Sequence, residues 1–345
     1  MSAAAGARGR GIVLAAGRVS FVLPRRDLLV SVGLLALLVA VVVAAVGIGT
    51  VTVPPVDVVR SLLAGGTDHD LIVRELRFPR VVLAVACGAA FGLGGALIQS
   101  VARNPLSSPD VIGITQGAGL AATIALTSGM AYALIAPMAM AGGLLAALAV
   151  FAFGARAGFA ANRFVLAGVA VAFALRAGIE IVMTSAETID ALRAQIWLIG
   201  SLNGRGYEEA GVLGLVLLLA LPLLLWAARA LRTSALDDDT ARALGARPGA
   251  RRVAAGALGV VLAAAATAQV GAVDFVALVA PQVARRLTGA ERPPLLASAL
   301  AGAVLVVLAD LAARMLLAPT QLPVGVLTAG IGGPYLVYLL IRRRR

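Results

Sequence analysis

Lysine is missing altogether: all 29 basic residues are arginine. Without it the chain has no P-loop lysine for nucleotide phosphates, no Schiff-base amine and no pyridoxal site, so any ATP that drives this protein is bound by another chain. Cysteine and histidine occur once each, as Cys87 and His69. That excludes an internal disulfide and a His/Cys metal cluster, and no metal site is expected. Charge is scarce as well, at 13% of residues against about a quarter in a soluble domain. Aromatic residues are 4% and form no stripe among the basic ones, so the net charge of +12 does not point to nucleic acid.

What fills the space is apolar. Of 345 residues, 61% are hydrophobic, and the mean hydropathy is +0.98. A crossing of about 30 Å takes about 20 apolar residues, so a chain this long holds roughly ten spans with short loops. Ten stretches can be read: Leu28–Ile48, Val81–Ser100, Gly113–Met130, Leu134–Phe153, Phe164–Met183, Gly211–Leu231, Val253–Val270, Phe275–Leu287, Leu295–Leu317 and Val324–Ile341. The eighth is short for an upright crossing and contains Pro281, which suggests a broken or tilted segment. The expected class is an all-α polytopic membrane protein. Residues 1–27 form a basic N-terminal segment, and residues 28–345 a single transmembrane domain with a cytoplasmic loop at 232–252.

Arginine sets the orientation. Arg8, Arg10, Arg18, Arg25 and Arg26 precede the first span and Arg342 to Arg345 follow the last, so both ends are expected in the cytoplasm and the crossings are even in number. Ten crossings put 21 arginines inside and six outside. This bias accounts for the positive charge through retention and contact with anionic lipid. The apolar run after the basic start exceeds a signal peptide's core and lacks an A-x-A site, so it reads as the first span.

Glycines inside the spans, as in Gly88 to Gly95 and Gly325 to Gly333, suit close helix packing in lipid or a path with little side chain in it. Gly332-Gly333-Pro334 is expected to kink the last helix. Arg176 with Glu180, and Asp310 with Arg314, are four apart on a helix, within salt-bridge reach. Each acid has three readings: neutralisation within the helix, contact with a substrate or partner, or a proton relay in a secondary transporter that uses Glu180 and Asp310. The outer loop from Ser185 to Glu209 is expected to hold a short interfacial helix, with Trp197 as an aromatic-belt residue.

Three blocks are more specific. The first runs from Arg77-Phe-Pro-Arg80 through Gly94-Gly95 and Gln99 to Arg103-Asn104-Pro105-Leu106 and Gly113-Ile-Thr-Gln-Gly117. The second is Phe164-Val-Leu-Ala-Gly168. The third starts at Gly271-Ala-Val-Asp-Phe275, passes Pro281-Gln-Val-Ala-Arg285, Asp310 and Arg314, and ends at Leu322-Pro323-Val-Gly325. In order and spacing these resemble the FecCD family, the permease subunits of ATP-binding-cassette importers for ferric siderophores, haem and cobalamin. The resemblance covers about Leu28 to Ile341. Asp274 and Gln282 depart from it, standing where the family has a glycine near the outer mouth and a histidine.

The resemblance implies a non-catalytic permease of ten helices, in the plasma (inner) membrane of a bacterium, that moves an iron chelate, most often a ferric siderophore. Its implied partners are a second permease subunit (homodimer or heterodimer), two ATPase subunits that bind ATP and Mg, and an extracytoplasmic binding protein. This chain itself holds no cofactor. Arg77, Arg80 and Arg314 are implied to receive carboxylates of the binding protein, by the two-pronged fork that a guanidinium offers. Lipid anchoring or a pair with Glu75 would also explain arginines at the outer mouth. The inner gate is implied at Asn104, Leu106 and Asn162, with helix capping as the other reading of Asn162.

The cytoplasmic loop carries a predicted short helix with Leu236, Asp237, Asp238, Asp239, Arg242 and Leu244, ended by Gly245. Its three acids lie in the first turn, where the helix dipole favours them. This is implied to couple the ATPase to the pathway; a solvated amphipathic loop is the alternative.

Overall fold

The structure, a computed structural model, describes residues 11–16, 19–110, 113–156, 161–233 and 248–342. Two short antiparallel strands, β1 (Gly11–Ala16) and β2 (Val19–Pro24), pair from Gly11 with Pro24 to Ala16 with Val19. This hairpin lies in the basic segment before the first span, and the membrane domain is all-α as expected. Ile12, Val13, Leu14, Phe21 and Val22 in the hairpin are β-branched or bulky residues of the kind strands favour. The rest is helical.

The ten apolar stretches correspond to α1 (Arg25–Gly47), α3 (Phe78–Ala102), α4 (Ile114–Thr127), α5 (Tyr132–Arg156), α6 (Ala161–Ser185), α8 (Tyr207–Thr233), α9 (Pro248–Val270), α10 (Val276–Thr288), α11 (Leu295–Met315) and α12 (Val324–Arg342). Two short helices outside them, α2 (Pro55–Leu63) and α7 (Thr188–Ile199), lie in the outer connections, and a π-helical turn at Leu71–Arg77 leads into α3. The expected helix between Ser185 and Glu209 is α7. Among the described residues, seven helices are long and apolar enough to cross a membrane, while α4 and the apolar part of α12 are shorter.

The eighth stretch is a short helix preceded by a non-helical segment. Its helix α10 has 13 residues, about 20 Å at 1.5 Å per residue. Residues 271–275 precede it without helical structure, with Gly271 and Phe275 in left-handed conformation. Pro281 lies inside the helix, which alone is shorter than an upright crossing. At the far end, Arg26 Nε at the start of α1 donates to the carbonyl of Leu287 at 3.0 Å. The end of α10 therefore lies on the same side as the start of α1, as an even number of crossings requires.

Helix α3, together with α9, occupies the centre: 78% of the apolar stretch of each is buried, against 11% for α6. Helix α3 packs on α8, α9, α10 and α11. Glycine permits this, because a Cβ on Gly88 or Gly92 would overlap the backbone carbonyls of Gly302 or Ser298 on α11, and one on Gly95 the carbonyl of Ala277 on α10. The packing reading of these glycines therefore holds on α3. Gly330 and Gly333 on α12 face open space.

Candidate functional site

At the outer side the ends of α1 and α11 meet the start of α3, and the three arginines singled out in the sequence come together there. Arg77 precedes Pro79, which occupies the first turn of α3. Its Nη1 donates to the carbonyls of Val46 and Gly47 at 2.8 and 3.1 Å, and its Nη2 to that of Val51 at 2.7 Å. Val46 and Gly47 end α1, where a helix leaves carbonyls without intrahelical partners; the Gly47 carbonyl also accepts the N–H of Val53 at 2.9 Å, and Val51 lies beyond the helix. Arg77 thus serves as a C-terminal cap, its side-chain bonds going to these carbonyls rather than to Glu75. Only 9% of it is exposed, which does not suit a lipid anchor.

Arg80 reaches across to α11. Its Nε and Nη2 donate to Asp310 Oδ1 at 3.0 and 2.8 Å. Its Nη1 donates to Gln321 Oε1 at 2.7 Å and to Asn203 Oδ1 at 3.4 Å. Arg314 Nε lies 3.2 Å from the other Asp310 oxygen, and its Nη2 donates to the Ala45 carbonyl at 2.9 Å. The expected pair of Asp310 with Arg314 therefore exists, but as half of a larger unit. One carboxylate, 1% exposed, sits between two guanidiniums and ties α1, α3 and α11 together.

The other expected pair is absent. Arg176 and Glu180 are both exposed on α6, and no ion pair joins them among the described residues. Four-residue spacing puts two side chains on one face without obliging them to meet. Helix α6 is the least buried of the seven long apolar helices, and the two side chains stay apart on its open surface.

Close to the arginine cluster a cavity of about 760 Å³ opens between the turn joining α4 to α5, helix α7 and the loops around Ser201 and Gln321. Tyr132 and Arg205 stack in its wall, with the guanidinium 5.2 Å from the ring centroid. Trp197 is in the wall too. It is 7% exposed and packs with Ala118, Ala122, Ile135 and Ala268, so the expected belt position is corrected: α7 turns its indole inward.

The inner side is less completely described. Asn104 follows Arg103, whose left-handed conformation ends α3. Its N–H donates to the Gln99 carbonyl at 3.3 Å, and its Oδ1 accepts the N–H of Leu106 at 3.0 Å, a local side-chain turn that shapes the loop. Asn162 is the second residue of α6, already within the helix. The coupling residues Leu236, Asp237, Asp238, Asp239, Arg242, Leu244 and Gly245 lie outside the described residues.

Behind Asn104, Gln99 Nε2 donates to the carbonyl of Leu278 at 3.1 Å, and Gln282 Nε2 donates to Gln99 Oε1. The two glutamines thus join the inner end of α3 to α10. Asp110, before α4, accepts from Thr115 Oγ1 at 2.9 Å.

Sequence reasoning missed Asn203 and Gln321, which hold the free edge of Arg80. They are ordinary polar residues in outer loops. The one signal available was the position of Gln321 beside the Leu322-Pro323 block.

Residues 37–342 match the model of the FecCD transport family. Among curated relatives, the achromobactin transport system permease protein CbrC of Dickeya dadantii is 42% identical over 322 residues, covering 91% of each chain. The Fe(3+)-citrate import system permease protein YfmE of Bacillus subtilis is 37% identical, covering 92% of this chain and 96% of its own length. The ferric enterobactin transport system permease protein FepG of Escherichia coli is 39% identical over 299 residues, covering 86% and 91%. A solved structure described as an inward-facing conformation of a candidate metal-chelate type ABC transporter superposes with a TM-score of 0.79 at 27% identity. That alignment covers 91% of this chain and 99% of that one.

Proposed function

Because the chain belongs to the FecCD transport family, as a multi-pass membrane permease of an ATP-binding-cassette importer, we propose that it carries a ferric chelate from an extracytoplasmic binding protein across the cytoplasmic membrane of a bacterium. The observation that carries the cargo is the agreement among relatives. Their names specify achromobactin, Fe(3+)-citrate, enterobactin and hydroxamate systems, and the last three are ferric or Fe(3+) by name. A siderophore or hydroxycarboxylate complex of iron(III) is therefore favoured over haem or cobalamin.

ATP hydrolysis belongs to two partner ATPase subunits, in keeping with a chain that has no lysine for a nucleotide loop. A second permease subunit belongs against α6. Charged side chains facing hydrocarbon are costly, and α6 is both the least buried span and the one that exposes Arg176 and Glu180. The secondary-carrier alternative is weaker. Asp310 is enclosed by Arg80 and Arg314, and Glu180 is on a different helix.

The test is uptake into proteoliposomes that contain the permease, its ATPase and its binding protein. Iron(III) chelate should accumulate only with ATP inside the ATPase compartment, and a proton gradient alone should drive none. Accumulation driven by the gradient without ATPase would overturn the importer reading. Uptake of haem or cobalamin with ferric chelates excluded would overturn the cargo.

Docking of the binding protein is assigned to the outer rim at Arg77, Arg80 and Arg314. At Arg80 an incoming carboxylate exchanges with Gln321 and Asn203 on Nη1, leaving the edge toward Asp310 in place. Arg80→Lys keeps a cation beside Asp310 but loses the fork. It is expected to weaken binding-protein association about tenfold, or about 1.4 kcal/mol, while the ATPase still co-purifies. Unchanged affinity by surface-immobilised binding would remove Arg80 from the docking surface.

The cytoplasmic loop with Leu236 and Leu244 is assigned to the ATPase cleft, and Asn104, Leu106 and Asn162 to the inner gate. Leu244→Asp places a charge on the apolar face that the loop would bury. ATP-driven uptake should fall at least tenfold in this variant. Wild-type transport would reduce the loop to a solvated connection.

A further inference from the structure

The outer cavity adjoins the contacts assigned to docking, sharing Asn203 and Gln321 with them, and its wall has a definite chemistry. Its volume of about 760 Å³ falls within the range of about 300–1,000 Å³ typical of small-molecule sites. Two arginines line it, Arg193 on α7 and Arg205 in the loop before α8. Among the described residues each guanidinium makes a single side-chain hydrogen bond, of 3.3 Å, to Asp190 and to Glu209 respectively. Most of the five N–H donors on each are left for another acceptor.

Beside them are two flat surfaces, the Tyr132 ring under Arg205 and the Trp197 indole, whose buried N–H has no acceptor in the protein. Asn203 and Gln321 complete the polar side of the wall, and the same two amides hold Arg80. Apolar faces, neutral hydrogen-bonding groups and guanidinium edges converge on one concave space at the outer side, together with one carboxylate, Asp190, which is paired with Arg193. That combination suits a compact anion with planar or apolar ligand arms.

We propose that this cavity is a holding site for an anionic ferric chelate on the outer face of each permease subunit. The inference rests on the ferric-chelate reading above and adds a location and a charge requirement to it. Carboxylate or catecholate oxygens at the rim of the complex accept from Arg193 and Arg205, while its arms lie against Tyr132 and Trp197. A chelate seated there touches Asn203 and Gln321, so occupancy reaches the residues that fix Arg80.

The chain has two tryptophans, and this makes the site directly readable. In the full-length Trp226→Phe chain in lipid nanodiscs, Trp197 is the one indole left. Titration with iron(III) citrate should quench its fluorescence saturably, and gallium(III) citrate, of like charge and shape, should reverse the quenching by displacement. Arg193→Glu, at a residue whose side chain is 67% exposed, should raise the half-saturating concentration at least tenfold. In proteoliposomes the same change should raise KM for uptake.

Quenching that is linear in iron citrate, that persists unchanged in Arg193→Glu, or that iron-free citrate displaces equally well would overturn the site. Failure of the two readings is separable. Normal ATP-driven uptake of ferric chelate without saturable quenching removes the cavity alone, whereas absence of uptake from the wild-type complex removes the cargo.

Discussion

Asp310→Ala is expected to destabilise the permease by about 3–5 kcal/mol, the cost of removing one partner from a buried ion pair and leaving the other uncompensated. Here two partners are left. Arg80 and Arg314 would face each other with no carboxylate between them, at a point where α1, α3 and α11 meet. Detergent-solubilised protein should unfold at a lower temperature and be cleaved faster in the connections between these helices.

Replacing all three charges at once, as Arg80→Met, Asp310→Leu and Arg314→Met, should recover much of the loss, since apolar substitutes of similar volume often match a buried ionic unit. A change below about 1 kcal/mol in Asp310→Ala would mean that water already solvates the cluster. The triple variant also separates stability from docking. It should fold and bind its ATPase, yet associate with the binding protein poorly.

The other large effect concerns α3. In Gly95→Ala the added methyl overlaps the Ala277 carbonyl, a backbone atom of α10 that has no rotamer to yield. Overpacking a tight core usually costs about 1–3 kcal/mol. Here α3 and α10 must move apart as units, and the Gln99 and Gln282 contacts between them break as well. A loss at or above the upper end of that range is expected, read as the folded fraction by size exclusion.

Gly330→Ala is the contrast. Its Cβ meets nothing within 4 Å, so the change should be neutral or stabilise by up to about 1 kcal/mol through helix propensity. Equal outcomes for the two variants would refute the close approach of α3 to α10.

The sequence by itself determined the membrane class, the ten helices and their orientation, because hydrocarbon thickness and the arginine bias act on local stretches and are written in order along the chain. It also excluded a P-loop in this chain, through the missing lysine. Which helix is central was decided by tertiary structure: α3 and α6 are similarly apolar in sequence, and only the partners that α3 meets at Gly88, Gly92 and Gly95 bury it.

The same holds for charge. Helical spacing found Asp310 with Arg314 but paired Arg176 with Glu180 equally well. Spacing reports which side chains share a face, whereas burial decides whether they must pair. Arg80, 230 residues from Asp310 in sequence, became its nearer partner because two antiparallel helices put both ends at one surface. No local pattern encodes such a meeting.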